Sequence, residues 1–295
     1  MRKIILTGAT GYIGRKLLSR LLERGYSVSV VVREKSPRLS SLPADIEKIF
    51  YDGTFNSLLD GMKDKESGLV IHVASLFLTQ HKPEDIGNLI DSNIKFPCHL
   101  LEAMHACGLT EIINTGTSWQ HYENGDYNPV NLYAASKQAF VDMLKFYQEA
   151  HQFKALTLEL FDTFGPDDER KKLFHLLQEV AETGKTLKMS PGQQLLDIVY
   201  IDDVLNAYEI AINQSGKLTG IFTVASGQMH NLQEIVAIYS KISQKKLNIE
   251  FSALPYRPRE VMKPWERYRN LPDWVCEFSL EEGIKKILCQ GMKKH

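Results

Sequence analysis

Tyr133 and Lys137, four residues apart in Tyr133-Ala134-Ala135-Ser136-Lys137, are a pair whose types and spacing can move a proton. Residues i and i+4 share one face of a helix. A phenol is a poor acid or base near neutrality, with a reference pKa of about 10. A neighbouring ammonium favours the phenolate, and a fall of about three units corresponds to roughly 4 kcal/mol of differential stabilisation. The expected chemistry is proton exchange between Tyr133 and a carbonyl or alcohol, with Lys137 tuning the phenol. Upstream, an apolar run leads into Thr115-Gly116-Thr117-Ser118. Thr117 is placed to hydrogen-bond the reacting oxygen, with Ser118 as the reserve. Tyr-x-x-x-Lys alone is equally a surface helix pair, so its weight comes from its order behind other elements.

The first of these is Thr7-Gly8-Ala9-Thr10-Gly11-Tyr12-Ile13-Gly14, a G-x-x-G-x-x-G run between a first strand and a first helix. Helix N-terminal amides attract a pyrophosphate, and glycines let the backbone turn and approach it. Gly8, Thr10, Gly11, Tyr12, Ile13 and Gly14 are therefore expected to hold a dinucleotide. At the end of the second strand an acidic residue would bind the 2′-hydroxyl of NAD. The sequence instead reads Val31-Val32-Arg33, with Lys35 close by. Arg33 can pair with a 2′-phosphate through its planar fork, which favours NADP(H) and leaves NAD(H) possible. The alternative is a solvated arginine at a strand end. Asp52-Gly53 either accepts from the adenine amino group through Asp52 or simply forms a turn.

These residues need a frame. Short apolar runs at Ile4–Leu6, Val28–Val32, Ile46–Tyr51, Leu69–Val73, Glu111–Asn114 and Ala155–Leu160 alternate with helical patterns at Tyr12–Arg24, Ile86–Cys107 and Leu132–Ala150. That alternation predicts an α/β fold with a doubly wound parallel sheet and ligands at the strands' C-terminal ends. After Gly165-Pro166 the pattern loosens: helices at Lys171–Thr183, Ile201–Ile212, Leu232–Ser240 and Leu280–Leu288, strands at Leu196–Tyr200 and Ile221–Val224, and a tail carrying Pro255, Pro258, Pro264 and Pro272. Residues 1–164 are expected to bind the dinucleotide. Residues 165–295 are expected to form a smaller mixed substrate-binding region, with parts near 196–225 returning to the main sheet.

Composition narrows the partners. Across 295 residues, 35 Lys and Arg offset 36 Asp and Glu, so neither nucleic acid nor an anionic membrane is expected as a partner. Cys98, Cys107, Cys276 and Cys289 lack metal-ligand spacing and read as reduced thiols, and no metal site is expected. Ile4-Ile5-Leu6 is too short for a signal peptide, and no run reaches membrane-spanning length. A cytoplasmic protein is the expectation.

Taken together, the chain resembles the extended short-chain dehydrogenase/reductase family, also called NAD-dependent epimerase/dehydratase. The likeness rests on the glycine run, Asp91-Ser92-Asn93, Thr117, Tyr133 and Lys137, Phe161-Asp162-Thr163-Phe164-Gly165-Pro166, Asp197–Val204 and Pro255–Glu260. It implies a Rossmann-type domain, a nucleotide-sugar substrate and a homodimer pairing the helices that hold Asn93 and Tyr133. It makes Thr117, Tyr133 and Lys137 catalytic, with Lys137 also on the nicotinamide ribose. Val73, Ala74, Ser75 and Asn93 would line the cofactor. Ser118, Asp162 and Arg257 would meet substrate, Arg257 at its diphosphate unless it is a solvated basic loop.

Departures from the family pattern are informative. Its 4,6-dehydratases carry Asp-Glu directly after the catalytic Thr, where this chain has Ser118-Trp119, so dehydration is disfavoured. Asp162 stands where the family usually has Asn, and Leu196 where it often has Arg. Gly116–Tyr122 with Asn128–Phe140 most resembles nucleotide-sugar 4-ketoreductases of the CDP-abequose synthase type. The expected reaction is NADPH-dependent reduction of a 4-keto-6-deoxyhexose in surface-polysaccharide sugar biosynthesis. The alternatives are a C4 epimerase with tightly bound NAD and a non-catalytic NADP(H) sensor.

Overall fold

A computed structural model describes residues 2–36, 38–65 and 68–291. The first half runs β1 (Lys3–Thr7), α1 (Tyr12–Glu23), β2 (Ser27–Val32), β3 (Glu47–Phe50), α2 (Phe55–Met62), β4 (Leu69–His72), α3 (Ile86–Ile90), α4 (Phe96–Ala106), β5 (Glu111–Thr117), α5 (Leu132–His151) and β6 (Lys154–Leu160). The second runs β7 (Asp162–Phe164), α6 (Leu173–Thr183), β8 (Leu187–Lys188), β9 (Leu195–Tyr200), α7 (Ile201–Gln214), β10 (Gly220–Val224), β11 (Met229–Asn231), α8 (Leu232–Ser243), β12 (Ile249–Glu250) and α9 (Leu280–Gly291).

The main sheet has seven strands in the order β10-β6-β5-β4-β1-β2-β3, every pair parallel. Successive residues of a strand face opposite sides, and the core follows that alternation. Ile4, Leu6, Val28 and Val30 pack in one cluster with α1 and α7, while Ile5, Val31 and Ile112 pack in another with Leu58 of α2, Leu100 of α4 and Phe140 of α5. The strand order reverses between β1 and β4, and ligands of such sheets bind at that crevice.

A strand from beyond residue 164 returns to the main sheet, within the stretch near 196–225 expected to do so. β10 pairs with β6 in the main sheet, while β7 pairs with β9 in a three-stranded sheet with β11. β5 runs three residues past the expected Asn114 and carries Thr117 at its end. The predicted helix from Ile86 is continuous but widens into a π-helical turn over Asp91–Lys95. Pro97 explains the widening, because it lacks the N–H that would bond the carbonyl of Asn93.

Candidate active site

The β1–α1 turn is shaped by close approach. Gly8 has φ +77°, and a Cβ there would lie 2.6 Å from the Ala74 amide nitrogen. A Cβ on Gly14 would lie 2.1 Å from the Gly8 carbonyl oxygen. Larger residues would break the packing of helix against strand. The Gly11 amide donates to the Gly8 carbonyl at 2.9 Å, and Gly11 caps α1. Thr7 fixes the neighbouring loop: its Oγ accepts from the amides of Val73 at 3.2 Å and Ala74 at 3.1 Å. This backbone cradle suits a dinucleotide pyrophosphate.

A cavity of about 900 Å³ begins at this turn. It is lined by Gly8, Thr10, Gly11, Tyr12, Ile13 and Gly14, then Val73, Ala74 and Ser75, and reaches Thr117, Tyr133 and Lys137. At its other end it meets Arg33, Asp52 and Gly53. Asp52 Oδ1 accepts from the Thr54 amide at 2.8 Å and the Thr54 hydroxyl at 2.6 Å, so it does form the turn while still lining the cavity. A second cavity of about 430 Å³ adjoins the first, sharing Trp119, Phe161 and Asp162, and holds Arg257 and Arg259.

Tyr133 and Lys137 occupy the first turns of α5, whose cap Asn131 accepts from the Ala134 amide at 2.9 Å. Asn131 also donates to the Leu78 and Thr79 carbonyls, which ties the helix start to the loop after β4. The Tyr133 ring meets Phe77 edge-on at 5.0 Å. Burial lowers the Lys137 ammonium to about 8. The expected fall of the Tyr133 phenol does not occur: burial pushes it up to about 12, against a lowering by a Ser75 hydrogen bond and the charge of Arg170. Desolvation disfavours the phenolate more than these neighbours favour it. Tyr133 is therefore held as a protonated phenol, the form that donates.

Behind Thr117 lies a buried network. The Thr117 amide donates to Gln120 Oε1 at 3.1 Å, and Gln120 Nε2 donates to Gln138 Oε1 at 2.8 Å and Glu159 Oε1 at 3.3 Å. His121 Nε2 lies 3.0 Å from Glu159 Oε2, and its Nδ1 lies 3.1 Å from the Gly125 carbonyl. A carboxylate and a carbonyl only accept, so both ring nitrogens carry protons and the pair is imidazolium and carboxylate. Burial draws the His121 pKa down, but the Glu159 hydrogen bond and charge hold it above its ordinary value. Trp265, from the tail, stacks on the imidazole at 3.6 Å. Thr117 Oγ accepts from the Trp119 amide at 3.3 Å and keeps its O–H to donate.

Two assignments shift. Asn93 does not line the cavity. It is buried, accepting from the Leu76 amide at 2.7 Å and the Ser75 hydroxyl at 3.2 Å, and donating to Ser136 Oγ at 2.9 Å. It pins the Ser75 loop to α5 and so positions Ser75 at Tyr133. Ser118 opens a tight helical turn outside both cavity linings, and Trp119 faces the cleft instead. Asp162 sits between the cavities, 3.3 Å from Lys172 Nζ, and Arg257 lines the second one, paired with Glu260 at 2.7 Å. Phe77, Arg170 and Lys172 line the cleft without having carried any motif signal. Only the fold brings them there.

Residues 4–225 match the model of the NAD dependent epimerase/dehydratase family. The chain belongs to that family. It is 28% identical over 295 residues to the CDP-abequose synthase of Yersinia pseudotuberculosis, covering 99% of this chain and 100% of that one. To the CDP-abequose synthase of Salmonella muenchen it is also 28% identical, covering 97% of each. The solved UDP-glucose 4-epimerase of Thermotoga maritima with UDP-glucose has a TM-score of 0.88 at 21% identity, covering 99% of each chain. That of Thermus thermophilus with NAD has a TM-score of 0.83 at 21% identity, covering 97% of this chain and 98% of that one. These relatives are nucleotide-sugar enzymes by name, and the family that the chain belongs to is NAD dependent. Among the described residues, no helix is long and apolar enough to cross a membrane.

Proposed function

We propose that the chain reduces the C4 ketone of a nucleotide-linked 4-keto-6-deoxyhexose, CDP-linked for preference, with NADPH. The observation that carries this reading is that Tyr133, Thr117 and Lys137 line one end of a cavity whose other end holds Arg33. The full-length likeness to two CDP-abequose synthases supports the substrate class. Arg33, exposed at the end of β2 with Lys35 beside it, supports a 2′-phosphate and hence NADP(H).

The glycine turn holds the pyrophosphate, and the bound nicotinamide supplies hydride to C4. Tyr133 donates its phenolic proton to the oxygen on C4 as negative charge develops there. Thr117 donates a hydrogen bond to the same oxygen, from a hydroxyl already oriented by the Trp119 amide. The Ser75 hydroxyl and the charge of Arg170 stabilise the phenolate left behind, and Lys137, buried one turn along α5, would hold the ribose of the bound cofactor. Trp119, Asp162 and Arg257 face the sugar nucleotide from the second cavity. The lack of a carboxylate after Thr117 leaves no group there for dehydration. The same reading carries a homodimer through the face of α4 and α5, where Phe146 is exposed; light scattering tests it.

The test is nicotinamide absorbance with CDP- and TDP-linked 4-keto-6-deoxyhexoses. Net NADPH oxidation with a new C4 alcohol is expected. Interconversion of C4 epimers without net oxidation would replace the reading with an epimerase using NAD. Binding of NADPH without any turnover would leave a sensor.

A further inference from the structure

Residues 167–169 reach back from the second half of the chain to the cofactor turn. Asp167 Oδ2 lies 2.8 Å from Lys16 Nζ, and its carbonyl accepts from Arg15 Nη2 at 2.9 Å. Glu169 Oε1 lies 3.5 Å from Arg15 Nη1, and its Oε2 lies 2.5 Å from Arg38 Nη2. Arg38 lines the cofactor cavity with Arg33, Lys35, Ser36 and Thr10, and Thr10 Oγ lies 3.1 Å from Ser36 Oγ. This is the cationic and hydroxyl-bearing end that the cofactor reading assigns to the 2′-phosphate.

Arg38 on one side, and Asp167 two residues before Glu169 on the other, are held in an unusual backbone shape. Arg38 has φ +65° and Asp167 has φ +61°, the left-handed region that residues with a Cβ rarely adopt. Such conformations persist where surroundings impose them, and they cluster at ligand clamps. The next residues along the strap enter the cleft itself. Arg170 forms a double hydrogen bond with Asp168 and lies over the Tyr12 ring at 4.6 Å, and Lys172 lies over Phe77 at 5.0 Å.

We propose that Arg38 is a cofactor-selecting residue and that Glu169 is its built-in competitor, a carboxylate that occupies the guanidinium a 2′-phosphate would take. This rests on the NADP(H) reading. The pair is exposed, 42% at Arg38 and 57% at Glu169, so it is weakly held and easily exchanged for another anion. A 2′-phosphate supplies that anion and a 2′-hydroxyl does not. NADPH binding thus frees Glu169 from Arg38 and loosens the end of the strap next to Arg170 beside the substrate cavity, while Asp167 stays tied to Lys16 and Arg15, whereas NADH binding leaves both ends tied. Selection between the cofactors is coupled in this way to the geometry of the substrate side.

The experiment is a fluorescence titration of the whole chain with NADPH and with NADH, without sugar, in wild type, Glu169→Gln, Arg38→Ala and Arg33→Ala. Glu169→Gln is expected to tighten NADPH about fivefold, and Arg38→Ala to weaken it about tenfold, each leaving NADH within about twofold. Hydrogen exchange over 167–170 should rise with NADPH and not with NADH. A preference for NADPH that falls with Arg33→Ala, yet is unmoved by Glu169→Gln and Arg38→Ala, overturns the clasp and spares the cofactor reading. A wild type that prefers NADH and is indifferent to Arg33→Ala overturns both.

Discussion

At the Thr117 end of the cleft, Gln120 and Glu159 are almost wholly buried, and each hydrogen-bonds more than one partner. At the Arg33 end, Arg33, Lys35 and Arg38 stand in water, and Arg38 leans on a still more exposed Glu169. Under the proposed reaction, the contrast follows the work each end would do. Proton donation needs a hydroxyl and a phenol held within tenths of an ångström, which only a packed and satisfied network secures. Choosing between two cofactors needs a charge that meets its partner and lets it go, and a solvated pair costs little to exchange. Rigidity is placed where the bond changes and looseness where the ligand enters.

The largest break in this comparison is Tyr133→Phe. It deletes the donor and keeps the ring against Phe77, so turnover should fall about a thousandfold, roughly 4 kcal/mol in the barrier. NADPH affinity should stay within about twofold, because the Arg33 end is untouched. Retention of a tenth of the wild-type rate in a steady-state assay would remove Tyr133 from its role.

Glu159→Gln tests whether the buried end is as stiff as it looks. The change leaves the His121 imidazolium facing a neutral amide in the interior. Removing one partner of a buried pair costs about 3 kcal/mol. Urea unfolding should show that loss, and the turnover number should fall with little change in NADPH affinity as the Gln120 support of Thr117 relaxes. Adding His121→Gln should recover part of the stability, since the two sites are coupled. Additive losses in the double variant would mean the pair does not act as a unit.

How legible each end was in the sequence follows the same physical division. Gly8, Gly11 and Gly14, and Tyr133 with Lys137, are local signals, because a turn and a helical face set their spacing within a few residues. The alternating strands were readable for the same reason. Glu159 and His121 are 38 residues apart and meet only because β5 and β6 are neighbours. Trp265 reaches the imidazole from an irregular tail with no periodicity to read. Asn93 was visible as a motif residue but not as a structural pin, since its partners Leu76 and Ser136 belong to other segments. The strength of Lys137 on Tyr133 was misjudged because spacing reports proximity and says nothing of desolvation.

Lys137 sharpens the buried end through pH. Its pKa is about 8 in the folded protein against an ordinary 10.5. Between those values the unfolded chain binds more protons than the folded one, so stability rises as pH rises through this window. The gain should be about 2 kcal/mol from pH about 8 to about 10. Lys137→Met should lack it, so its stability advantage over wild type should be greatest below pH about 8 and shrink above. Parallel stability profiles of the two proteins in urea would place Lys137 in contact with water.

The smallest effect separates the two ends with salt alone. Exposed charges more than about 10 Å apart are screened at about 0.1 M, and close pairs weaken progressively above it. Raising salt from about 0.05 to about 0.5 M should weaken NADPH about fivefold, because the cations at Arg33, Lys35 and Arg38 stand in solvent. NADH, which has no 2′-phosphate for them to hold, should weaken less. The buried imidazolium and carboxylate are shielded from ions, so the turnover number with saturating cofactor should hold within about twofold over the same range. Titrations and saturated rates measured side by side decide it. A turnover number that fell in step with NADPH affinity would mean that salt reaches the Thr117 network, and that the two ends are not built differently after all.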